Sequence, residues 1–210
     1  MNRKMQQSVF GIGAACTFLL GSAGAAVASP TGIDGPSVRL SDGTLVRSGE
    51  EIAFSFQGAP PAPDKAPQAC PEVNDPPTLV VTGTPRFIED KSKPQSTWLL
   101  PRQSVSWAVS GAHTFNAEVV VGGESEVGAI IAKAKVKIDV KIGKTWTWNS
   151  TQTVTDTNST KSGYRAVLGA VGWRLTTKKT WIVPPCAVRT STIVVDAPRA
   201  GDLSIGRSNR

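Results

Sequence analysis

The chain carries a single imidazole, His113, so any histidine-activated nucleophile would have to use it. His113 shares a two-residue register with Trp107 and Phe115, and the segment has no serine framed by the glycines of a nucleophile elbow. A half-buried sheet residue is the expectation. The carboxylate pairs a glycosidase would need are nominal, Glu124 with Glu126 and Glu50 with Glu51, and adjacent acids in turns are usually just solvated. The run Asp156-Thr157-Asn158-Ser159-Thr160 opens like a calcium loop, yet the glycine at its sixth place is missing and Val167 stands at the twelfth. We therefore assign no catalytic, cofactor-binding or metal-ligating residue and expect no enzyme activity.

The most specific pattern is a row of lysines. Ile130, Ala132, Ala134, Val136, Ile138, Val140 and Ile142 alternate with Lys133, Lys135, Lys137, Asp139 and Lys141. Read as a strand, the row puts Lys133, Lys135, Lys137 and Lys141 on one face with neighbours about 6.6 Å apart, on the same side as Asp139. Like charges so placed repel unless an anion, solvent or cross-strand carboxylates balance them, and Glu118, Glu124 and Glu126 are the acids at hand. A helix from Glu124 to Lys135 suits the Ala, Glu, Lys and Ile content, but alternation through Ile142 favours the strand. The four lysines are the candidate anion-binding face. Partners of matching chemistry are an anionic wall polymer, an acidic glycan or an anionic lipid; no pattern for specific nucleic-acid recognition is present.

Residues 1–28 read as an export leader: Arg3 and Lys4, an apolar stretch from Val9 to Leu20, and the small residues Ala26-Val27-Ala28. Cleavage after Ala28 would leave a secreted protein beginning at Ser29. It removes Arg3, Lys4 and Cys16 but no acid, so the net charge falls by two, from +7 to +5. Cys70 and Cys186 remain, and an exported chain with an even pair usually oxidises it. Such a bridge would close a loop of over a hundred residues and contribute about 4–5 kcal/mol.

The elements that must position these residues are strands. Residues 29–59 hold short strand-like pieces with a hairpin turn at Ser41-Asp42-Gly43. Prolines crowd 60–77, which excludes helix and central strand there and marks an irregular connection pinned by Cys70. From Ser104 to Val121 apolar residues hold the odd positions and polar ones the even, as one very long strand or two joined at Gly111. A Thr-rich run spans Thr145 to Thr160. Tyr164 to Val183 forms a further long strand with Gly169 and Gly172 as bends, and Val188 to Val195 a last one. A polar tail over 199–210 should fray. The six tryptophans, Trp98, Trp107, Trp146, Trp148, Trp173 and Trp181, would mainly build a core. The fold class is all-β, an antiparallel meander of long twisted strands, sandwich-like or an elongated stalk. Residues 78–198 form one compact unit with 29–77.

The stretch Ser104 to Val121, the segment KSGYRAVLGAVGWRLTTKKTWIVPP (161–185) and the leader resemble a group of uncharacterised secreted β-rich proteins of actinobacteria, over roughly the last half of the chain. That resemblance implies export and no activity. The long Ser/Thr-rich strands and the closing Trp181 to Pro185 phrase are also similar to the stalk of aerolysin-type β-pore-forming proteins. This second resemblance implies a homo-oligomeric pore, with an inserting hairpin of Val105 to Val121 paired with Ala129 to Thr145. Apolar residues would face lipid and Ser106, Asn116, Glu118, Lys133, Lys135 and Lys137 the lumen.

Overall fold

The computed structural model describes residues 35–61, 70–109, 113–148 and 151–208. The leader with its cleavage point after Ala28, the prolines among 62–69 and Gly111 lie outside the described residues. In chain order the strands are β1 (Val38–Arg39), β2 (Leu45–Val46), β3 (Ile52–Gln57), β4 (Thr78–Glu89), β5 (Trp98–Leu99), β6 (Ser104–Val109), β7 (His113–Asn116) and β8 (Glu118–Val121). Helix α1 (Val127–Lys137) follows, then β9 (Thr145–Trp148), β10 (Gln152–Thr157), β11 (Tyr164–Val183) and β12 (Ala187–Ser208). The fold is all-β and antiparallel, with α1 the single α-helix among the described residues.

β11 and β12 form the spine, an antiparallel pair running from Arg165 opposite Ser208 to Val183 opposite Ala187. At about 3.3 Å per residue, the 20 residues of β11 reach about 65 Å. β4 lies along β11 from Gly169 to Thr180, with β3 beyond it; β8 closes the other side against β12, giving the order β3-β4-β11-β12-β8. β5 pairs with the start of β11. The register along the spine shifts between Ala170 and Gly172, where the chain carries the glycines expected to bend it. A Cβ at Gly172 would overlap the Ala197 carbonyl oxygen, and one at Gly169 the Ile88 carbonyl oxygen, so only glycine lets the strands close at this point.

Two hydrophobic clusters lie along this spine. In one, Leu79, Val81, Trp173, Leu175, Ile193, Val195 and Ala197 pack against α1 through Val127, Ile130, Ile131, Ala134 and Ile138. Side chains of this size each contribute about 1.5–3 kcal/mol on full burial, which is ample to hold an 11-residue helix that would be marginal alone. In the other cluster, Leu168, Ala170, Leu203 and Ile205 of the spine meet Val105, Trp107, Val109, Phe115, Trp146 and Val154. Cys70 and Cys186 are bonded, with Cα atoms 5.5 Å apart and 116 residues between them, tying the Pro-rich connection to the turn between β11 and β12.

Three expectations are corrected. The segment 127–137 is helical, because Ile130 and Ile131 are both buried and, with Val127, Ala134 and Ile138, recur at helical spacing. The hairpin of 105–121 against 129–145 is therefore absent: β6 pairs with β10, β7 with β9 and β8 with β12. The tail from 199 does not fray; β12 extends through Ser208 and buries Leu203 and Ile205, whose apolar side chains hold it to β11.

Candidate functional site

Helix α1 and the loop after it carry every lysine of the candidate face. Lys133, Lys135 and Lys137 project from the helix and Lys141 from the turn beyond it, and all four are exposed. They are thus not a single strand face: Lys133 and Lys137 share one side of the helix, four residues apart, and Lys135 stands on another. Lys135 and Lys137 lie in the last turn, where positive charge complements the carbonyl end of the helix dipole.

Two of the acids that could have neutralised the lysines are held elsewhere, and the third, Glu124, is exposed in the turn before α1. Glu118 binds Lys91 at 2.5 Å, and that partner raises the lysine pKa. Glu126 binds Lys179, and hydrogen bonds from Lys179 and Ser125 hold its carboxyl below the ordinary range. Asp139, expected beside the lysines, turns inward instead. Its buried carboxylate accepts from Arg199 Nε and from Trp173 Nε1 at 3.2 Å, while its second oxygen accepts from the Lys141 backbone N–H at 3.0 Å. Among the described residues no ion pair reaches Lys133, Lys135, Lys137 or Lys141. Lys144 adds a further exposed charge on the same loop.

Apolar side chains stand among these charges. Val136 is 75% exposed and Val140 57% exposed. Neither was singled out by the sequence pattern, which counted both as inward-facing. The signal that places them is the Ile130-Ile131 doublet: two adjacent buried isoleucines fit a helix face and not a strand face, and they leave Val136 on the opposite side.

The other residues weighed as sites have structural partners. Asp156 accepts from the Tyr164 hydroxyl at 2.5 Å and pairs with Arg207 at 3.3 Å, so its carboxylate is engaged within the fold. Burial, followed by the Asp156 carboxylate, pushes the Tyr164 phenol up to about 12. Asp196 takes a two-pronged contact from Arg174 at 2.8 and 2.7 Å, which raises the guanidinium pKa. Glu50 binds Arg47. The sulfurs of Cys70 and Cys186 lie beside Glu72 but are spent on each other. His113 sits in β7 opposite Trp148. The tryptophans do not form one core: Trp173 is fully buried, Trp107, Trp146 and Trp181 are half-buried, and Trp98 is 47% exposed over Gly163.

A second surface is set by the ribbon of β6–β7 with β9–β10. Val109 faces Gln152 and His113 faces Trp148, so the two ladders share one register. One side of the ribbon packs on the spine. The other shows paired hydroxyls: Ser104 with Thr157 at 2.8 Å, Ser106 with Thr155, and Thr114 with Thr147 at 3.2 Å.

No family model matches this chain, nor does any curated protein or solved structure.

Proposed function

We propose that this is an exported, non-enzymatic, β-rich protein that acts by binding an anionic polymer or surface through Lys133, Lys135, Lys137 and Lys141. The observation that carries the reading is the separation of charges. The buried carboxylates of Asp139, Asp156 and Asp196 each have their own arginine, whereas the four lysines of α1 and its loop face solvent without an acid. Uncompensated like charges on a rigid helix lower their own repulsion when a polyanion arrives, and the attraction is screened by salt. The leader-like start and the Cys70–Cys186 bridge support an oxidising compartment outside the cell. The test is calorimetric titration of the protein from Ser29 with inorganic polyphosphate. Wild type binds; a Lys133→Gln/Lys135→Gln/Lys137→Gln/Lys141→Gln variant of equal thermal stability loses at least about tenfold in affinity. Equal binding by both proteins contradicts the reading.

One observation favours a second reading, a homo-oligomeric β-pore. The single register of β6–β7 against β9–β10 makes an amphipathic ribbon, hydroxyl on one side and apolar on the other, as a strand pair crossing a bilayer requires. Its inserting arms would be built from β6 and β7 on one side and from β9 and β10 on the other. Dye release from vesicles with a detergent-resistant oligomer supports it; intact vesicles at saturating protein remove it.

A further inference from the structure

We propose that the anionic partner is a lipid bilayer surface, met by α1 lying flat on it. This rests on the anion-binding reading above and adds what the lysines alone do not specify. Ala129, Ala132 and Val136 follow one another at intervals of three and four residues, so they form a single stripe on the helix. That stripe lies opposite Val127, Ile130, Ile131 and Ala134, which are buried, and so occupies the middle of the solvent-facing arc. Lys133 and Lys137 border it on one side and Lys135 on the other; Val140 and Lys141 follow in the loop after the helix, and both are exposed.

A soluble polyanion needs the lysines and gains nothing from two exposed valines between them. A headgroup layer uses both: lysine stems run along apolar surface and carry their ammonium groups to the phosphates, while the valines enter the acyl boundary. The only acid within the stretch, Asp139, is withdrawn to Arg199 and Trp173 and does not repel the phosphates. No helix among the described residues is long and apolar enough to cross a membrane, so α1 would rest in the interface plane. With so small an apolar stripe, adhesion depends on charge, each lysine near an anionic surface adding about fivefold in affinity.

The experiment is co-sedimentation of the full chain from Ser29 with phosphatidylcholine vesicles, with and without phosphatidylglycerol, beside the polyphosphate titration. Val136→Asn/Val140→Asn is the decisive variant, since both positions are exposed and the change leaves every lysine in place. The expected result is sedimentation with the phosphatidylglycerol vesicles only, weakened at least about tenfold in the variant, with polyphosphate binding unchanged. Vesicle binding that the variant leaves intact overturns the proposal. So does polyphosphate binding by a wild type that ignores anionic vesicles, an outcome that leaves the anion-binding reading standing. Failure to bind either probe overturns both.

Discussion

Asp139 holds three donors at once, from β11, β12 and its own loop, and this fixes where the lysines point. Its carboxylate joins Trp173 and Arg199 to the Lys141 backbone, while Arg199 also donates to the Arg39 carbonyl at 3.0 Å, so β1 is tied to the same point. Removing one partner of a buried pair leaves the other charge without compensation. Asp139→Ala should therefore cost about 3–5 kcal/mol in chemical denaturation, and wild-type stability would show that the pair does not hold the loop. Tyr164 allows a pH test. Its phenol is raised from an unfolded value of about 10 to about 12, so its contribution is whole below about 10 and is lost as pH climbs towards about 12. Denaturation midpoints of wild type should fall across that window. Tyr164→Phe should lack this component; parallel curves would contradict the assignment.

At the scale of elements, alternation in the sequence located the strands better than it located their partners. Tyr164–Val183 appears with the bounds its pattern implied, because odd-numbered apolar residues end at Pro184-Pro185, and the glycine bends fall at the register shift. The stretch 130–142 misled because three of its seven alternating apolar residues, Ala132, Val136 and Val140, face solvent on a helix or its loop, while Ile131, outside the alternation, is buried. Pairing was out of reach for a different reason. A period of two assigns faces and says nothing about which arm lies opposite, so β6 and β7 were matched to a helix when their partners were β10 and β9. The polar tail holds because its apolar residues are buried. Leu203 and Ile205 lie at 6% exposure in the second cluster, and Arg207 reaches Asp156. Truncation after Ala200 should accordingly lower stability by about 3 kcal/mol or more in thermal or denaturant unfolding, whereas a frayed tail would leave the transition unmoved.

Across the whole molecule, one long strand pair serves two clusters, with α1 packed over one and the Ser/Thr ribbon over the other. The lysines were legible as the residues to watch, since their density is a fact of composition; their geometry was not, since it depends on a helix held by tertiary burial. What the fold adds is that Asp139, Asp156 and Asp196 are each paired with an arginine inside the fold, while Lys133, Lys135, Lys137 and Lys141 are left outside it. Binding of anions by this unpaired charge is the proposal that remains to be tested. The most direct test is the affinity of wild type and of Lys133→Gln/Lys137→Gln for polyphosphate across a salt series. Log affinity is expected to fall linearly with log salt for wild type, and the variant to bind more weakly with a shallower slope. An affinity indifferent to salt, or identical slopes for the two proteins, would contradict it.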